Sequence, residues 1–362
     1  MNISLPLPGI FRPGVKQLIG LDISSSAVKL VELSRAGDGY RLEAYASEPL
    51  PPNAVADHQV KEPELVAQSI SKALRKAGTR TKQAAVAIPG SAAITKIIEM
   101  SGSLSEDEME QQVKFEADQH IPESIDDVNL DFQVIGPSTR AADQVQVLLA
   151  ACKSETIEMR VAAIEMAGLK AHVVDVETYA LQNACQLLTH QMPDSGMNKT
   201  VVLVDLGASG TQVNVLHSLD TVYTRDLSFG GRQLTEDVMR HFSLDAEAAE
   251  LAKRDGSLPA EYGNEVLPTF LEDVAQQISR TLQLYFSSSA AHTTVDQILL
   301  GGGCGALPGI AETVQNQLQI PAAVAQPFAD MRMPLLARRE HLAGVAPSLL
   351  LAAGLALRAF DP

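Results

Sequence analysis

The chain makes one local shape twice, and that repetition limits what it can fold into. At residues 18–33 the apolar run "LIGLDI" carries Asp22 near its end, meets Ser24-Ser25-Ser26 and returns as "AVKLVEL". At 199–216 "KTVVLVDL" carries Asp205, meets "GASG" and returns as "TQVNVL". Each reads as strand, aspartate, turn of small residues, strand. A tight two-residue hairpin would use Asn-Gly or Asp-Gly. A turn of serines and glycines instead directs N–H groups and hydroxyls outward, as a phosphate requires. Two such hairpins predict an α/β protein of duplicated halves with a nucleotide cleft between them.

Length and composition agree. A chain of 362 residues holds more than one subdomain, and 46% hydrophobic with 20% charged residues describes a folded, soluble protein. The net charge of −16 argues against nucleic acid and against direct adhesion to an anionic membrane. Cys152, Cys185 and Cys304 are far apart and show no CxxC spacing, which predicts a reducing compartment and no zinc. The opening "MNISLPLPGIFRPG" lacks a basic stretch and is broken by prolines, so it does not read as a signal peptide. "SLLLAAGLAL" (348–357) is too short to span a bilayer and reads as a buried terminal helix. The expected location is the cytoplasm.

Along the chain, residues 1–15 form an apolar, proline-spaced tail, either draped over the first domain or free to dock elsewhere. A first domain is expected at 16–87, completed by 169–198 and 342–362. A helix at roughly 62–78 stops at Gly78, and "AAVAIPG" is a short buried strand. Residues 88–168 read as an inserted subdomain of helix, two strands, helix and strand. Its first helix begins at Ser103 or Ser105, with Glu106-Asp107-Glu108 complementing the dipole. A second domain covers 199–341, with 199–235 and 293–341 forming one part and 236–292 another. Helices are expected near 231–254 and 262–290, then strand, glycine turn and helix start in "QILLGGGCGALPGI". His120, His172 and His292 show no metal spacing, and Arg338-Arg339 reads as a solvated pair.

Three loops together suggest one site. Asp22 and Asp205 suit Mg2+ held through water, as hard oxygen ligands do. Ser24, Ser25 and Ser26 with the N–H groups of 207–211 (Gly207, Ala208, Ser209 and Thr211 among them) suit the β- and γ-phosphates of ATP, with Lys29 beside them. The Gly301-Gly302-Gly303 turn allows a purine to lie against bare backbone.

These segments resemble the superfamily of actin, sugar kinases and chaperone ATPases. "GGGCGALPGIAETV" is similar to actin's adenosine segment, and "GGRQLTEDVMRHF" to the stretch after its second phosphate loop, which brings in Gly230 and Gly231. The closer likeness is to the FtsA type and above all to the PilM family of type IV pilus assembly. "IGLDISSSAVKLVEL", "FEADQHIPESIDDVNLDFQVIG" and "APSLLLAAGLALR" carry it, from about residue 16 onward. The resemblance implies an actin-like ATPase fold with an FtsA-style insert and an ATP–Mg2+ site. It also implies an adaptor that docks the cytoplasmic N-terminal peptide of PilN between the first domain and the insert. Other inner-membrane and motor components of the pilus and self-association are further expected contacts; membrane association would come only through partners.

By the same likeness, Asp175, or Glu177 as the alternative, stands where these ATPases orient the attacking water. Glu250 and Lys253 fall where ribose and base bind, though they read equally as a solvated i,i+3 pair. Asp126, Asp127, Val128 and Leu130 are candidate peptide contacts, the apolar ones reading equally as the insert's own core. Ala208 stands in place of an acid, and Asp175 is shorter than Glu or Gln, so turnover is expected to be slow or absent. A sugar or acetate-type kinase and a filament-forming actin relative are the alternatives on the same fold.

Overall fold

The computed structural model describes residues 17–122, 124–138, 141, 143–288, 294–332 and 339–361. The tail at 1–15, His292 and Arg338 fall outside the described residues, as do the side chains of His120 and Arg339. The chain divides into two units: residues up to Ala180 with those from Leu351 onward, and Leu181–Met331 with the stretch ending at Leu350.

In the first unit, β1 (Ile19–Ile23), β2 (Ala27–Ala36) and β3 (Gly39–Pro49) form an antiparallel meander. A small hairpin of β4 (Val55–Ala56) and β5 (Gln59–Val60) follows, then α1 (Pro63–Ala77) and β6 (Gln83–Ile88). The chain continues through β7 (Ala93–Ser101), α2 (Glu106–His120), β8 (Val128–Pro137), β9 (Gln144–Lys153), α3 (Ser154–Met166) and β10 (Lys170–Val176). The main sheet has the order β10-β6-β1-β2-β3, with β1, β6 and β10 parallel.

β1 is buried throughout, so both its faces must be covered. α1 supplies one cover with Val66, Ala67, Ile70 and Ala73; it starts at Pro63 and stops at Gly78, whose φ of 70° ends the helix left-handed. The helix Leu350–Leu357 lies against Gly20, where a Cβ would come within 1.9 Å of the Ala352 carbonyl oxygen. Only glycine permits that approach.

The insert is a three-stranded antiparallel sheet, β7-β9-β8, covered by α2. Met109, Val113 and Ala117 meet Ile98, Met100, Val147 and Leu149 there. Ser105 caps α2 in a reciprocal box with Glu108, as the acidic first turn suggests.

Here the structure departs from the sequence reading in three ways. The strand expected to end the insert, β10, is the edge of the main sheet. β7 is an additional strand. And α3, expected in the insert, packs Ile157, Val161, Ala163 and Ile164 into the core of the main sheet beside α1. The insert therefore closes at Lys153, because α3 is needed to cover the sheet.

α4 (Glu177–Ala184) carries the chain past the division between units. The second unit repeats the meander with β11 (Thr200–Leu206), β12 (Thr211–His217) and β13 (Asp220–Leu227). Next come α5 (Gly231–Phe242), α6 (Ala246–Asp255), α7 (Leu267–Ser288), β14 (Gln297–Gly301), α8 (Ile310–Leu318) and β15 (Ala322–Val324). The sheet order β13-β12-β11-β14-β15, three antiparallel strands then two parallel ones, repeats that of the first unit. Val202, Val204, Val213 and Val215 pack against Phe270, Val274 and Ile278 of α7. The helix expected near 231–254 breaks at Ser243, with φ of 54°, and Asp245 caps the new start.

The apolar segment near the C-terminus is longer than "SLLLAAGLAL": Leu342–Phe360 is helical and apolar enough to cross a membrane by length and composition, with mean hydropathy 1.7. Its window is 67% buried inside the protein, which marks it as a core helix.

Candidate functional site

In the first unit, Asp22 and Lys29 face each other across the β1–β2 hairpin. Lys29 Nζ lies 2.8 Å from Asp22 Oδ2, and the carboxylate is buried. The Ser24 N–H and hydroxyl both donate to the Ala27 carbonyl, at 3.1 and 2.9 Å, and so close the turn. Ser25 is half-buried and Ser26 exposed, at the turn's tip.

Asp175 does not fit the role of positioning a water. Its Oδ1 accepts the Val176 N–H at 2.7 Å and its Oδ2 accepts Arg358 Nε at 2.6 Å. The two side chains are 0% and 6% exposed. Arg358 also donates to Asp361 at 2.9 Å. Burial opposes the guanidinium's charge, but Asp175 and Asp361 outweigh it and hold the Arg358 pKa above its ordinary range. Asp175 is thus a structural counter-ion, and the candidate catalytic assignment is corrected accordingly. Glu177, the alternative, opens α4 and is half-buried.

Where the insert meets the β4–β5 hairpin and the start of α3 there is a cavity of about 400 Å3. Ile94, Ile121, Val128, Ala151 and Cys152 give it apolar walls, while Asp57, His58, Gln59, Ser91, Lys153 and Thr156 are its polar side. Of the candidate peptide contacts, Val128 lines it. Leu130 does not; it packs on the insert's core with Phe132 and Val134. Asp126 and Asp127 are exposed in the short turn immediately before Val128.

In the second unit, the loop after Asp205 closes through the Gly207 N–H to the Gly210 carbonyl at 2.9 Å. The Gly231 and Arg232 N–H groups donate to the Gly207 and Ala208 carbonyls, at 2.9 and 2.8 Å. The start of α5 therefore braces this loop. A Cβ on Gly230 would come within 2.7 Å of the Gly207 oxygen, and one on Gly231 within 2.5 Å of Cys304 Sγ. Gly230 and Gly231 are close-packing positions, and the Gly231 N–H is committed to the loop. Thr211 is likewise committed: buried, it donates its hydroxyl to the Phe229 carbonyl at 2.6 Å. Ala208 and Ser209 form the half-buried tip.

Glu250 and Lys253 are more than a solvated pair. Lys253 Nζ lies 2.7 Å from Glu250 Oε1 and 2.6 Å from Thr235 Oγ1, and Thr235 also bonds Glu250 and the Gly231 carbonyl. Burial pushes the Glu250 carboxyl up, but these bonds outweigh it and hold the pKa below the ordinary value. The network joins α5 to α6 beside the braced loop.

The three glycines after β14 differ in kind. Gly301 is buried, its Cβ position 2.8 Å from Leu350. Gly302 is left-handed, with φ of 83°, and its Cβ would fall 2.3 Å from the Leu206 oxygen. Gly303 is exposed, with no atom within 4 Å of its Cβ position. Only Gly303 presents open backbone of the kind a flat base could cover. Sequence reasoning did not anticipate the packing of Cys304 here, nor Tyr262, whose hydroxyl pKa is raised by burial and by Cys304 and Glu250. Among the described residues no group of three His, Cys, Asp or Glu side chains is placed to hold a metal.

Comparison with solved structures defines the class. The fold is shared with the ethanolamine utilization protein EutJ from Carboxydothermus hydrogenoformans (TM-score 0.56, 19% identity, 98% of this chain and 92% of that one). It is also shared with MreB5 of Spiroplasma citri bound to ADP (0.50, 11%, 94% and 95%). This is an actin-like ATPase fold, a fold in which nucleotide-bound structures are known. A higher likeness is to the PilM-PilN type IV pilus biogenesis complex, with TM-score 0.80 and 29% identity over 97% of this chain and 100% of that one. The chain belongs to the type IV pilus assembly protein PilM family, which it matches over residues 20–360. Neither the kinase nor the filament reading is favoured by that membership.

Proposed function

We propose that this protein is a nucleotide-loaded cytoplasmic adaptor of type IV pilus assembly that docks the cytoplasmic N-terminal peptide of PilN. The cavity between the insert and the β4–β5 hairpin of the first unit carries the reading: apolar walls with a polar side, sized for a few side chains of an extended peptide. The likeness to a PilM-PilN complex supports PilN as its occupant. Recruitment to the inner face of the inner membrane then follows from the partner, since a chain of net charge −16 gains nothing from an anionic lipid surface.

ATP with Mg2+ is the ligand we assign to the two hairpins. Mg2+ keeps several waters and takes one or two carboxylates with substrate phosphates, so one aspartate per hairpin fits it better than a closed protein cage would. Asp22 and Asp205 each supply a hard oxygen. Lys29 holds Asp22 in place and adds positive charge near the phosphates. The tips Ser24–Ser26 and Ala208–Gly210 offer small residues to the phosphate oxygens. Glu250 and Lys253 with Gly303 take the nucleoside. When bound, Mg2+ neutralises phosphate charge.

Asp22→Ala or Asp205→Ala should weaken Mg-ATP binding by about 1–3 kcal/mol. Calorimetry finding both variants unchanged would reject this site. For docking, a synthetic PilN N-terminal peptide is titrated into the parent, Val128→Asp and Lys153→Glu. Val128→Asp places a charge on an apolar wall and should lose roughly tenfold or more in affinity while ATP binding is kept. Lys153→Glu should have a smaller effect at the rim. Undiminished capture by both would place the peptide elsewhere.

A further inference from the structure

The docking cavity owes one wall to a turn made of two consecutive non-glycine residues in left-handed backbone. Asp57 and His58 join β4 to β5 as a two-residue hairpin loop, with Ala56 paired to Gln59. Both have positive φ, 50° and 61°. Such a loop takes Asn-Gly, Asp-Gly or Gly-Gly most readily; Asp57 suits it, while His58 occupies the position where glycine adopts positive φ at least cost. Asp57, His58 and Gln59 all line the cavity.

The turn is held from below by Arg160 of α3. This side chain is 1% exposed, yet no carboxylate bonds it among the described residues. Its Nη2 donates to the His58 carbonyl at 2.8 Å and its Nε to the Ala87 carbonyl, at the end of β6, at 3.2 Å. Its Nη1 is buried with no partner among the described residues. Burial lowers the guanidinium's pKa, with Glu177, Cys152 and Asp22 acting in the opposite sense. A buried charge paired only with carbonyls is an expensive way to fill space, and a methionine of similar length would fill it more cheaply. Strained backbone persists where surrounding structure over-determines it, and it clusters at ligand sites.

We propose that Arg160 is a positioning residue of the peptide site: it never touches the peptide, but it locks the Asp57–His58 turn in the shape that the docked peptide needs. The inference rests on the docking reading above. With the turn locked in advance, the peptide does not bear the cost of ordering it. Releasing the turn leaves the trough's apolar wall intact and removes the fixed polar rim.

The test is a cycle on the full chain, with the synthetic PilN N-terminal peptide as probe and ATP affinity measured in each sample. Arg160→Met should bind the peptide roughly tenfold more weakly, with ATP affinity unchanged. Adding His58→Gly, a residue that adopts positive φ at no steric cost and so favours the same turn without the arginine, should recover most of that loss. A role confined to stability would lower the melting temperature without altering the affinity of the folded protein. If Arg160→Met does not fold, Arg160→Lys is read the same way, since one ammonium cannot reproduce the fork between two carbonyls. A parent that fails to bind the peptide overturns the docking reading itself. A parent that binds, with arginine variants that bind equally well, overturns only the role of Arg160. So does a loss that His58→Gly leaves unrepaired.

Discussion

Arg358→Met should cost the first unit about 3–5 kcal/mol, the usual consequence of removing one partner from a buried ion pair. The variant leaves the Asp175 carboxylate fully buried and, among the described residues, with the Val176 N–H as its one remaining donor where Arg358 Nε stood at 2.6 Å. It also strands Asp361, whose carboxyl burial already pushes up. Urea unfolding measures the loss. Asp175→Asn should destabilise as well, and the double variant should lose much less than the two single losses together, because the second change removes the charge that the first left unpaired. Simple additivity would sink the pairing. The same proteins decide between a structural and a catalytic Asp175. A structural residue changes stability and leaves phosphate release as slow as in the parent. If Asp175→Asn keeps its stability and loses a measurable ATPase, the water-positioning role returns.

Gly302→Val and Gly303→Val should behave oppositely although they are neighbours. At Gly302 a side chain meets the backbone of Leu206 on three atoms, the nearest 2.3 Å away, in a left-handed conformation that branched residues avoid. No flexible group can move aside, so a loss of about 3 kcal/mol or more is expected, read as insoluble or poorly folded protein. Gly303→Val meets nothing within 4 Å and should melt like the parent. Its side chain takes up the open backbone assigned to the base, so ATP affinity should fall about 10- to 100-fold, on the scale of a blocked contact. A folded Gly303→Val with parental ATP affinity would remove this turn from the nucleoside site.

The hairpins were legible because they obey local rules. A buried strand ending at an aspartate and followed by small residues looks the same wherever it occurs, so Asp22 and Asp205 announced the duplicated sheets. The glycine pair at 230–231 was visible too, but not its purpose. Whether a glycine serves a ligand or a close approach is decided by atoms distant in sequence, here the Gly207 oxygen and Cys304. Asp175 misled for the same reason. Its partner Arg358 stands far along the chain, and nothing in "VVDVETYAL" signals a buried counter-charge. α3 was placed in the insert because its sequence follows β9 without a break. Its apolar residues nonetheless serve the other core, a choice that periodicity cannot express. Arg160 was invisible altogether, since an arginine within a helical pattern reads as solvated until its burial is known.

The contact at Gly20 fixes an order of events during synthesis. β1 is made before the second unit, but the helix backbone that covers it, at Ala352 and Ala356, comes only after the whole of the second unit has been translated. The second unit is nearly continuous in sequence and can close as it emerges. The first must wait with one side of a strand that ends wholly buried still uncovered, the kind of exposed surface that invites aggregation or chaperone capture. A message cut short before Leu351 would therefore release a second unit able to fold and a first unit that cannot finish, however much of its own sequence has been made.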